Sequence, residues 1–250
     1  MQVSDTDKRR SEALRHANRR PSGALAFFAR WVRIVILSLA LFVVIRAFGL
    51  EAFKIASGSM EHTLFEGDFL LVNKLVYGAG IPGLRSKLPA VHSPHHGDII
   101  VFVYPLDPTR NYVKRIAGEP GDTVEMRGGV LFRNGKKVVE GYVQHTPAGP
   151  DDEDDSDFQW QTAYLVGRSP LANYHPSRDN WGPLVVPPGN YFVLGDNRDN
   201  SSDSRYWGFV ADSLVRGEPM MVYYSYSPDS GSRLDWLTHV RWKRFGEIVH

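Results

Sequence analysis

The chain has 250 residues, of which 42% are hydrophobic and 23% are charged, and its formal net charge is +1. This balance gives no reason to expect nucleic-acid binding, because neutralising phosphates requires a marked basic excess. The length suffices for one large domain or two modest ones. Cysteine is absent, which excludes disulfides, thiolate metal sites and cysteine nucleophiles.

The first element along the chain is an apolar run at residues 34–45, IVILSLALFVVI, with Arg33 and Arg46 at its ends. Twelve helical residues rise only about 18 Å, whereas residues 31–50 would span about 30 Å of hydrocarbon if both arginines reached the headgroups. We therefore predict a transmembrane anchor over 31–50. The main alternative is a cleaved signal peptide, which the long polar lead and the lack of a nearby small-x-small site disfavour.

A basic segment precedes this run and predicts its direction in the membrane. Residues 1–30 contain seven lysines and arginines against three acidic residues. By the positive-inside tendency, this tail stays in the cytoplasm and the chain beyond about residue 50 lies outside. A nucleic-acid-binding arm is the alternative, but the adjacent apolar span favours the topological interpretation.

Beyond residue 50 the sequence is typical of antiparallel β-structure, since short runs rich in Val, Ile, Phe and Tyr lie between Gly, Pro, Asn and Asp. The dipeptide Asn134-Gly135 is the strongest hairpin signal in the chain. No helical pattern alternates with the strands, which argues against a parallel βαβ sheet. The predicted strands lie within 68–78, 97–105, 111–118, 122–138, 189–196 and 218–227.

Two polar clusters are interpreted as surface loops. Six acidic residues fall within seven positions at 151–157, and their spacing matches no EF-hand calcium loop. His92, His95 and His96 are interrupted by Pro94, and no carboxylate stands at helical spacing from them. We predict no metal site.

Two residues in separate segments have the chemistry of a nucleophile and a base. Ser59 lies in ASGSMEHTL, just beyond the apolar run, and a serine at its native pKa needs a base. In the strand that begins YVKRIAG, alternation places Lys114 on one face with Tyr112 and Ile116, while Arg115 points the other way. A lysine between apolar neighbours is desolvated, which lowers its pKa and lets it accept a serine proton.

The third element is GDNRDNSSDSR, residues 195–205, which by itself is either a hydrogen-bonded loop or a cation-binding one. The order SGSM, then YVKRIAGEPGD, then GDNRDNSSDSR, behind an N-terminal apolar segment, resembles bacterial type I signal peptidase (leader peptidase), a Ser/Lys serine endopeptidase family. The stretch GDIIVF at 97–102 is similar to a further strand of that family. The resemblance runs from about residue 30 to about residue 220.

The resemblance implies a site, carried over position by position. It makes Ser59 the nucleophile and Lys114 the general base, with an oxyanion hole formed by the Ser59 N–H and the Ser57 hydroxyl. Ser201 matches a serine that orients the lysine by a hydrogen bond, and no cofactor is implied. The remaining supporting positions are Asp203 and Arg205, which match an ion pair, together with Asp196 and Arg115.

The resemblance also implies shallow apolar subsites that admit small residues, typically Ala-x-Ala. Two positions depart from the family pattern, because His62 and Ala56 stand where proline is common, and both loosen the backbone restraint on the nucleophile loop. The residues that match the lining, and that are also candidates for ordinary core packing, are Phe53, Ile55, Met60, Leu64, Tyr112 and Val113.

Together these observations predict a mainly β protein. An antiparallel β-sheet catalytic core over 51–122 and 188–225 would be interrupted by a smaller β domain over 123–187 and preceded by one N-terminal transmembrane helix. Residues 226–250 form a basic and aromatic tail, suited either to a membrane interface or to packing on the core.

The function expected from the resemblance is removal of signal peptides from exported preproteins. The enzyme would act as a monomer in the bacterial cytoplasmic membrane, in contact with lipid, with its catalytic domain on the periplasmic side. One alternative is a Ser/Lys self-cleaving peptidase of the repressor type. Another is a catalytically inactive extracytoplasmic binding module, which would use 195–203 for calcium.

Overall fold

The computed structural model describes residues 23–45, 49–78, 89–146, 156–167, 174–228 and 234–250. The chain divides into two compact units, one up to Ile45 and one from Arg46 onward. The basic tail before residue 23 and the acidic run at 151–155 lie outside the described residues, so the expectations for them stay predictions.

The first unit contains one α-helix, α1, at Gly23–Val44. Its segment Leu25–Val44 has a mean hydropathy of 2.1 and is exposed throughout, so by length and composition it is able to cross a membrane. The helix differs at both ends from the bounds of 31–50 predicted for the membrane anchor. The helix starts earlier because arginine favours helices and can reach headgroups from an apolar stretch, and it stops before Leu50 because Leu50 belongs to the first β-strand.

The second unit is mainly antiparallel β-structure, which confirms the predicted fold class. It contains eleven strands among the described residues, and all of their pairings are antiparallel. In chain order they are β1 (Leu50–Lys54), β2 (Asp68–Asn73), β3 (Ile99–Val103), β4 (Asn111–Gly118), β5 (Thr123–Arg127), β6 (Val130–Arg133), β7 (Lys136–Lys137), β8 (Trp181–Val185), β9 (Asn190–Leu194), β10 (Val210–Ala211) and β11 (Val215–Ser225).

Seven of the strands form a large sheet in the order β1-β2-β11-β3-β4-β9-β10, and the other four form a small sheet in the order β7-β6-β5-β8. The small sheet lies wholly between residues 123 and 187 of the chain. The predicted Asn-Gly hairpin is confirmed, since β6 and β7 pair across it. Asn134 and Gly135 have φ values of 53° and 73° there, the left-handed conformation that such two-residue turns require.

The two sheets share a hydrophobic core, in which Val124, Leu131 and Leu184 of the small sheet pack with Phe192 and Leu194 of β9. Burying each such side chain stabilises the fold by about 1.5–3 kcal/mol. A second cluster lies beneath the segment that follows β1. Its buried members are Ile55, Met60, Leu64, Leu70, Val72, Ile99, Val101 and Val222.

Short helices complete the second unit. They are α2 (Ser204–Trp207), α3 (Asp235–Thr238) and 3-10 helices at Gly58–Met60, Ser156–Tyr164, Asp212–Leu214 and Trp242–Arg244.

The C-terminal segment packs on the large sheet. The N–H of Val249 donates to the carbonyl of Met220 at 3.0 Å, and Arg244 forms an ion pair with the buried Asp68 at 2.8 Å. Trp236 and Trp242 of the same segment nevertheless remain 52% and 74% exposed. Packing, one of the two predicted alternatives, is therefore present, and it leaves an aromatic surface uncovered.

Candidate active site

Ser59 and Lys114 meet in space, although 55 positions separate them in the chain. Ser59 is the second residue of the 3-10 helix Gly58–Met60, which follows β1, and Lys114 is in β4. The Nζ atom of Lys114 lies 2.6 Å from the Oγ atom of Ser59. Met60, next to Ser59 in the chain, is almost completely buried, so its packing in the core fixes the position of the nucleophile segment.

Lys114 is buried because β4 lies between β3 and β9 in the large sheet. Desolvation lowers the pKa of Lys114 to about 8, even though the negative charges of Asp203 and Asp196 act in the opposite direction. Its Nζ atom also lies 3.2 Å from the carbonyl oxygen of Val113 and 5.4 Å from the centroid of the Tyr112 ring. Lowering the pKa in this way increases the uncharged fraction of the lysine near neutral pH, and the uncharged form can accept a proton.

The expected oxyanion-hole residues lie at the same point. The Oγ atom of Ser57 is 3.2 Å from the Oγ atom of Ser59. Ser57 has extended backbone angles, φ −149° and ψ 153°, at the start of the 3-10 helix. The first N–H groups of a helix have no acceptor within it, so the Ser59 N–H and the Ser57 hydroxyl can be directed at one substrate oxygen.

The loop after β9, residues 195–203, packs behind the nucleophile. The N–H of Asn197 donates to the carbonyl of Ser59 at 3.1 Å, and the N–H of Gly195 donates to Asp203 at 3.0 Å. A side chain at position 195 would collide with the Ser59 carbonyl and with Ser201. Glycine is therefore required there by close approach of two backbones.

Two buried ion pairs stabilise this loop. Arg115 donates to both carboxylate oxygens of Asp196, at 2.9 and 2.8 Å, and Arg205 donates to both oxygens of Asp203 at 2.8 Å. Burial alone would raise the pKa of Asp203, but the charge and hydrogen bonds of Arg205 hold it below its usual value. The four residues that were expected to support the site are thus brought together beside it.

Ser201 does not make the hydrogen bond expected of it. Within the described residues, the Nζ atom of Lys114 is bonded to Ser59 and Val113 and not to Ser201. The Ser201 hydroxyl is buried and has no partner of standard hydrogen-bond geometry there. It does help to lower the pKa of Asp203, because it lies close to that carboxylate and to Gly195.

An open cavity of about 580 Å³ lies in front of Ser59 and Lys114. Of the six residues expected to line a substrate pocket, four do so, namely Ile55, Met60, Tyr112 and Val113. Phe53 and Leu64 do not, because both pack into the cluster beneath the cavity. The other lining residues are Lys54, Ala56, Ser57, Arg110, Asn111, Asn200 and Ser202.

Thr63 is a site residue that sequence reasoning missed. Its Oγ1 atom donates to Asp196 at 2.6 Å and so joins the nucleophile loop to the Arg115 ion pair. A threonine in a turn-forming segment has no local feature that indicates such a partner. Lys54 and Arg110, at the edge of the cavity, were missed as well, because isolated cations in strands and turns usually face solvent.

The chain is similar in sequence to proteins of one family. A family model described as "Signal peptidase, peptidase S26" matches residues 28–224. A signal peptidase I of Pseudomonas aeruginosa is 38% identical over 214 residues, which cover 81% of this chain and 74% of that protein. A signal peptidase I of Aquifex aeolicus is 35% identical over 212 residues, covering 72% of this chain and 78% of that protein.

Among solved structures, a signal peptidase I from Enterococcus faecalis V583 is 32% identical, covers 52% of this chain and 98% of its own, and has a TM-score of 0.35. The family match at 28–224 contains the nucleophile segment, the strand with Lys114 and the block at 195–205. It therefore covers most of the second unit rather than one short motif. The chain belongs to the signal peptidase family, peptidase S26, as a serine endopeptidase of the bacterial type I kind.

Proposed function

We propose that this S26 peptidase cleaves signal peptides with Ser59 as nucleophile and Lys114 as general base. The observation that carries the proposal is the 2.6 Å approach of a buried lysine nitrogen to the serine oxygen. Burial keeps the pKa of Lys114 near 8, close to the pH at which the enzyme would work. A general base is most effective when its pKa lies near the operating pH.

The chemical steps follow from this pair. Neutral Lys114 accepts the proton of Ser59 as its oxygen attacks the scissile carbonyl, and the Ser59 N–H and Ser57 hydroxyl stabilise the resulting oxyanion. The lysine ammonium then gives its proton to the leaving amine, which leaves an acyl-enzyme on Ser59. Water then attacks the ester and transfers a proton to Lys114. The lysine ammonium returns that proton to the Ser59 oxygen as the ester bond breaks, which releases the carboxyl product and restores the starting state.

The cavity supports a preference for small residues on the acyl side of the cut, of the Ala-x-Ala type. Ile55, Met60 and Val113 give it an apolar floor directly beside the nucleophile. The backbone at residues 55–57 continues an edge strand, β1, which has a partner on only one side among the described strands. An extended substrate could pair with this free backbone edge, which is a common mode of peptide recognition.

We further propose that α1 anchors the enzyme as a monomer, with the second unit outside the cytoplasm. The anchor is supported by its exposed apolar surface, and the direction by the excess of basic residues before residue 31. The exposed Trp236 and Trp242 are suited to lipid headgroups. Replacing both by alanine in a chain beginning at residue 46 should weaken binding to anionic vesicles, whereas the exposed control Val139→Ala should not.

The decisive test is cleavage of a preprotein by the full-length protein in detergent, with the cut mapped by mass spectrometry. Cleavage after a small residue is expected, Ser59→Ala should abolish it, and the exposed Ser213→Ala should retain it. Ser57→Ala should lose only part of the rate, about 10²–10³-fold, as is typical of oxyanion-hole donors. Undiminished cleavage by folded Ser59→Ala would exclude this serine as nucleophile.

A further inference from the structure

The loop that carries the nucleophile is held from two sides at one residue, Thr63. Its hydroxyl donates to Asp196 at 2.6 Å, and its carbonyl accepts from the Nη2 atom of Arg244 at 3.1 Å. Each of these partners belongs to an ion pair whose carboxylate is buried, Arg115–Asp196 and Arg244–Asp68. Thr63 therefore has little freedom to move, although it lies in a turn.

The Arg244–Asp68 pair is itself anchored in the large sheet. Asp68 is completely buried at the first position of β2, where it accepts from Ser225 at 2.6 Å and from the N–H of Phe65 at 2.8 Å. Arg244 reaches it from the C-terminal segment with Nε and Nη2, at distances of 2.8 to 3.2 Å. A planar guanidinium can hold a carboxylate and a neighbouring carbonyl together in one fixed geometry.

Such a restraint is needed because the loop adopts a conformation that its own residues disfavour. His62, between Ser59 and Thr63, has φ 82°, in the left-handed region where side chains other than glycine are strained. The conformation of the loop is therefore maintained by contacts from outside it.

We propose that Arg244 is a positioning residue for the reaction. Together with Asp68, it fixes Thr63 and thereby keeps the Ser59 oxygen within reach of the Lys114 nitrogen. The same C-terminal segment touches the second ion pair, since Arg115 donates to the backbone oxygen of His250 at 3.3 Å. The inference rests on the proposed role of Ser59 as nucleophile.

The test measures kcat, KM and melting temperature of full-length variants in detergent with a preprotein substrate. Arg244→Met should lower kcat about 10- to 100-fold, because small displacements of a reacting group have effects of that size. KM should change little, since Arg244 does not line the cavity. The pH at half-maximal kcat should also stay in place, because the charges that act on Lys114 are untouched.

A matched control separates positioning from general stability. Arg241 lies in the same segment and donates to the carbonyls of Glu66 and Tyr226, away from Thr63. Arg241→Met should lower the melting temperature without lowering kcat at temperatures where the protein is folded. Thr63→Val removes the other restraint, and combining it with Arg244→Met should lower kcat by less than the product of the two single effects.

Two results would overturn the inference. One is a kcat for Arg244→Met within about twofold of the parent, and the other is a loss of kcat equal to that of Arg241→Met at equal loss of melting temperature. Ser59→Ala is measured in the same assay. If Ser59→Ala is inactive while Arg244→Met retains full kcat, the proposed role of Arg244 is wrong and the assignment of Ser59 as nucleophile stands. If Ser59→Ala is active, both the nucleophile assignment and this inference are wrong.

Discussion

Lys114 and Arg115 are neighbours on β4, and both are buried, with 3% and 5% of their surface exposed. Arg115 donates from Nε and Nη2 to the two carboxylate oxygens of Asp196. Lys114 has no salt bridge within the part of the chain that the structure describes, and its nitrogen faces the Ser59 hydroxyl. Two adjacent buried cations therefore differ in whether a carboxylate is hydrogen-bonded to them.

The difference shows how one strand supplies both a structural ion pair, through Arg115, and a general base, Lys114. Alternation directs successive side chains to opposite faces, so each cation meets a different set of neighbours. A buried cation with a hydrogen-bonded carboxylate stays charged and cross-links two segments, whereas a buried cation without one is desolvated and moves toward its neutral form.

Removing the base should remove the activity. Lys114→Met is expected to lower kcat by about 10⁴-fold or more, and adding Ser59→Ala should cost little further, because residues that act as a unit are not additive. Lys114→Arg should be equally inactive, since a guanidinium does not deprotonate in this pH range. The measurement is preprotein cleavage, with a melting curve to show that each variant is folded.

The result that would break the comparison is an active, folded Lys114→Met. Such a variant would show that the neutral form of this lysine is not the base. The base would then have to come from another titratable group near Ser59.

Replacing Arg115 should lower the free energy of unfolding. Arg115→Met leaves the buried carboxylate of Asp196 without its partner, and breaking a buried ion pair in this way typically costs about 3–5 kcal/mol. Chemical denaturation of the second unit measures the free energy of unfolding directly. Arg110→Met is the control, because both members of its ion pair with Asp107 are exposed, and a much smaller cost is expected for it. An equal loss of unfolding free energy in the two variants would show that the buried ion pair stabilises the fold no more than an exposed one.

Lys114→Met should have the opposite effect on stability, and the effect should depend on pH. The folded-state pKa of Lys114 is about 8, against 10.5 for the unperturbed group. Between these values the unfolded chain binds more protons than the folded one, so the stability of the parent rises with pH across this range. Below pH 8 the buried charge costs about 3 kcal/mol, and Lys114→Met should remove that cost.

The measurement is the free energy of unfolding of both proteins between pH 7 and pH 10.5. The advantage of Lys114→Met should be greatest at the low end and disappear at the high end. A difference that does not vary with pH would show that Lys114 is not desolvated in the folded protein.

The sequence was enough to predict the β-fold, the hairpin at Asn134 and the meeting of the three motif segments, because each depends on local pattern or on ordered motifs. It could not predict how deep each side chain lies. Phe53 and Leu64 share their segments with the true lining residues, and alternation assigns a face but not a distance from the cavity. The exact contacts of Ser201 depend on the close approach of Gly195 to the Ser59 backbone.

The sequence also could not predict contacts between residues that are far apart in the chain. Arg244 and Asp68 are 176 positions apart, and no local pattern connects a C-terminal arginine with the first residue of a strand. The bounds of α1 were missed for a different reason. Arginines at the margin of an apolar run are compatible both with the helix and with the segment that flanks it, so composition alone leaves about the first two turns undetermined.

The smallest expected effect concerns the ring beside the lysine. The Nζ atom of Lys114 lies 5.4 Å from the centroid of the Tyr112 ring, and an aromatic face stabilises the charged form by about 0.5–1 kcal/mol. Tyr112→Leu should therefore favour the neutral lysine and lower the pH at half-maximal kcat by about half a unit. Tyr112→Phe retains the ring and should retain the midpoint, whereas both variants change the cavity lining and will alter KM. Equal midpoints for leucine and phenylalanine would show that the ring does not contribute, and that desolvation and the charges of Asp203, Asp196 and Arg205 alone determine the pKa of Lys114.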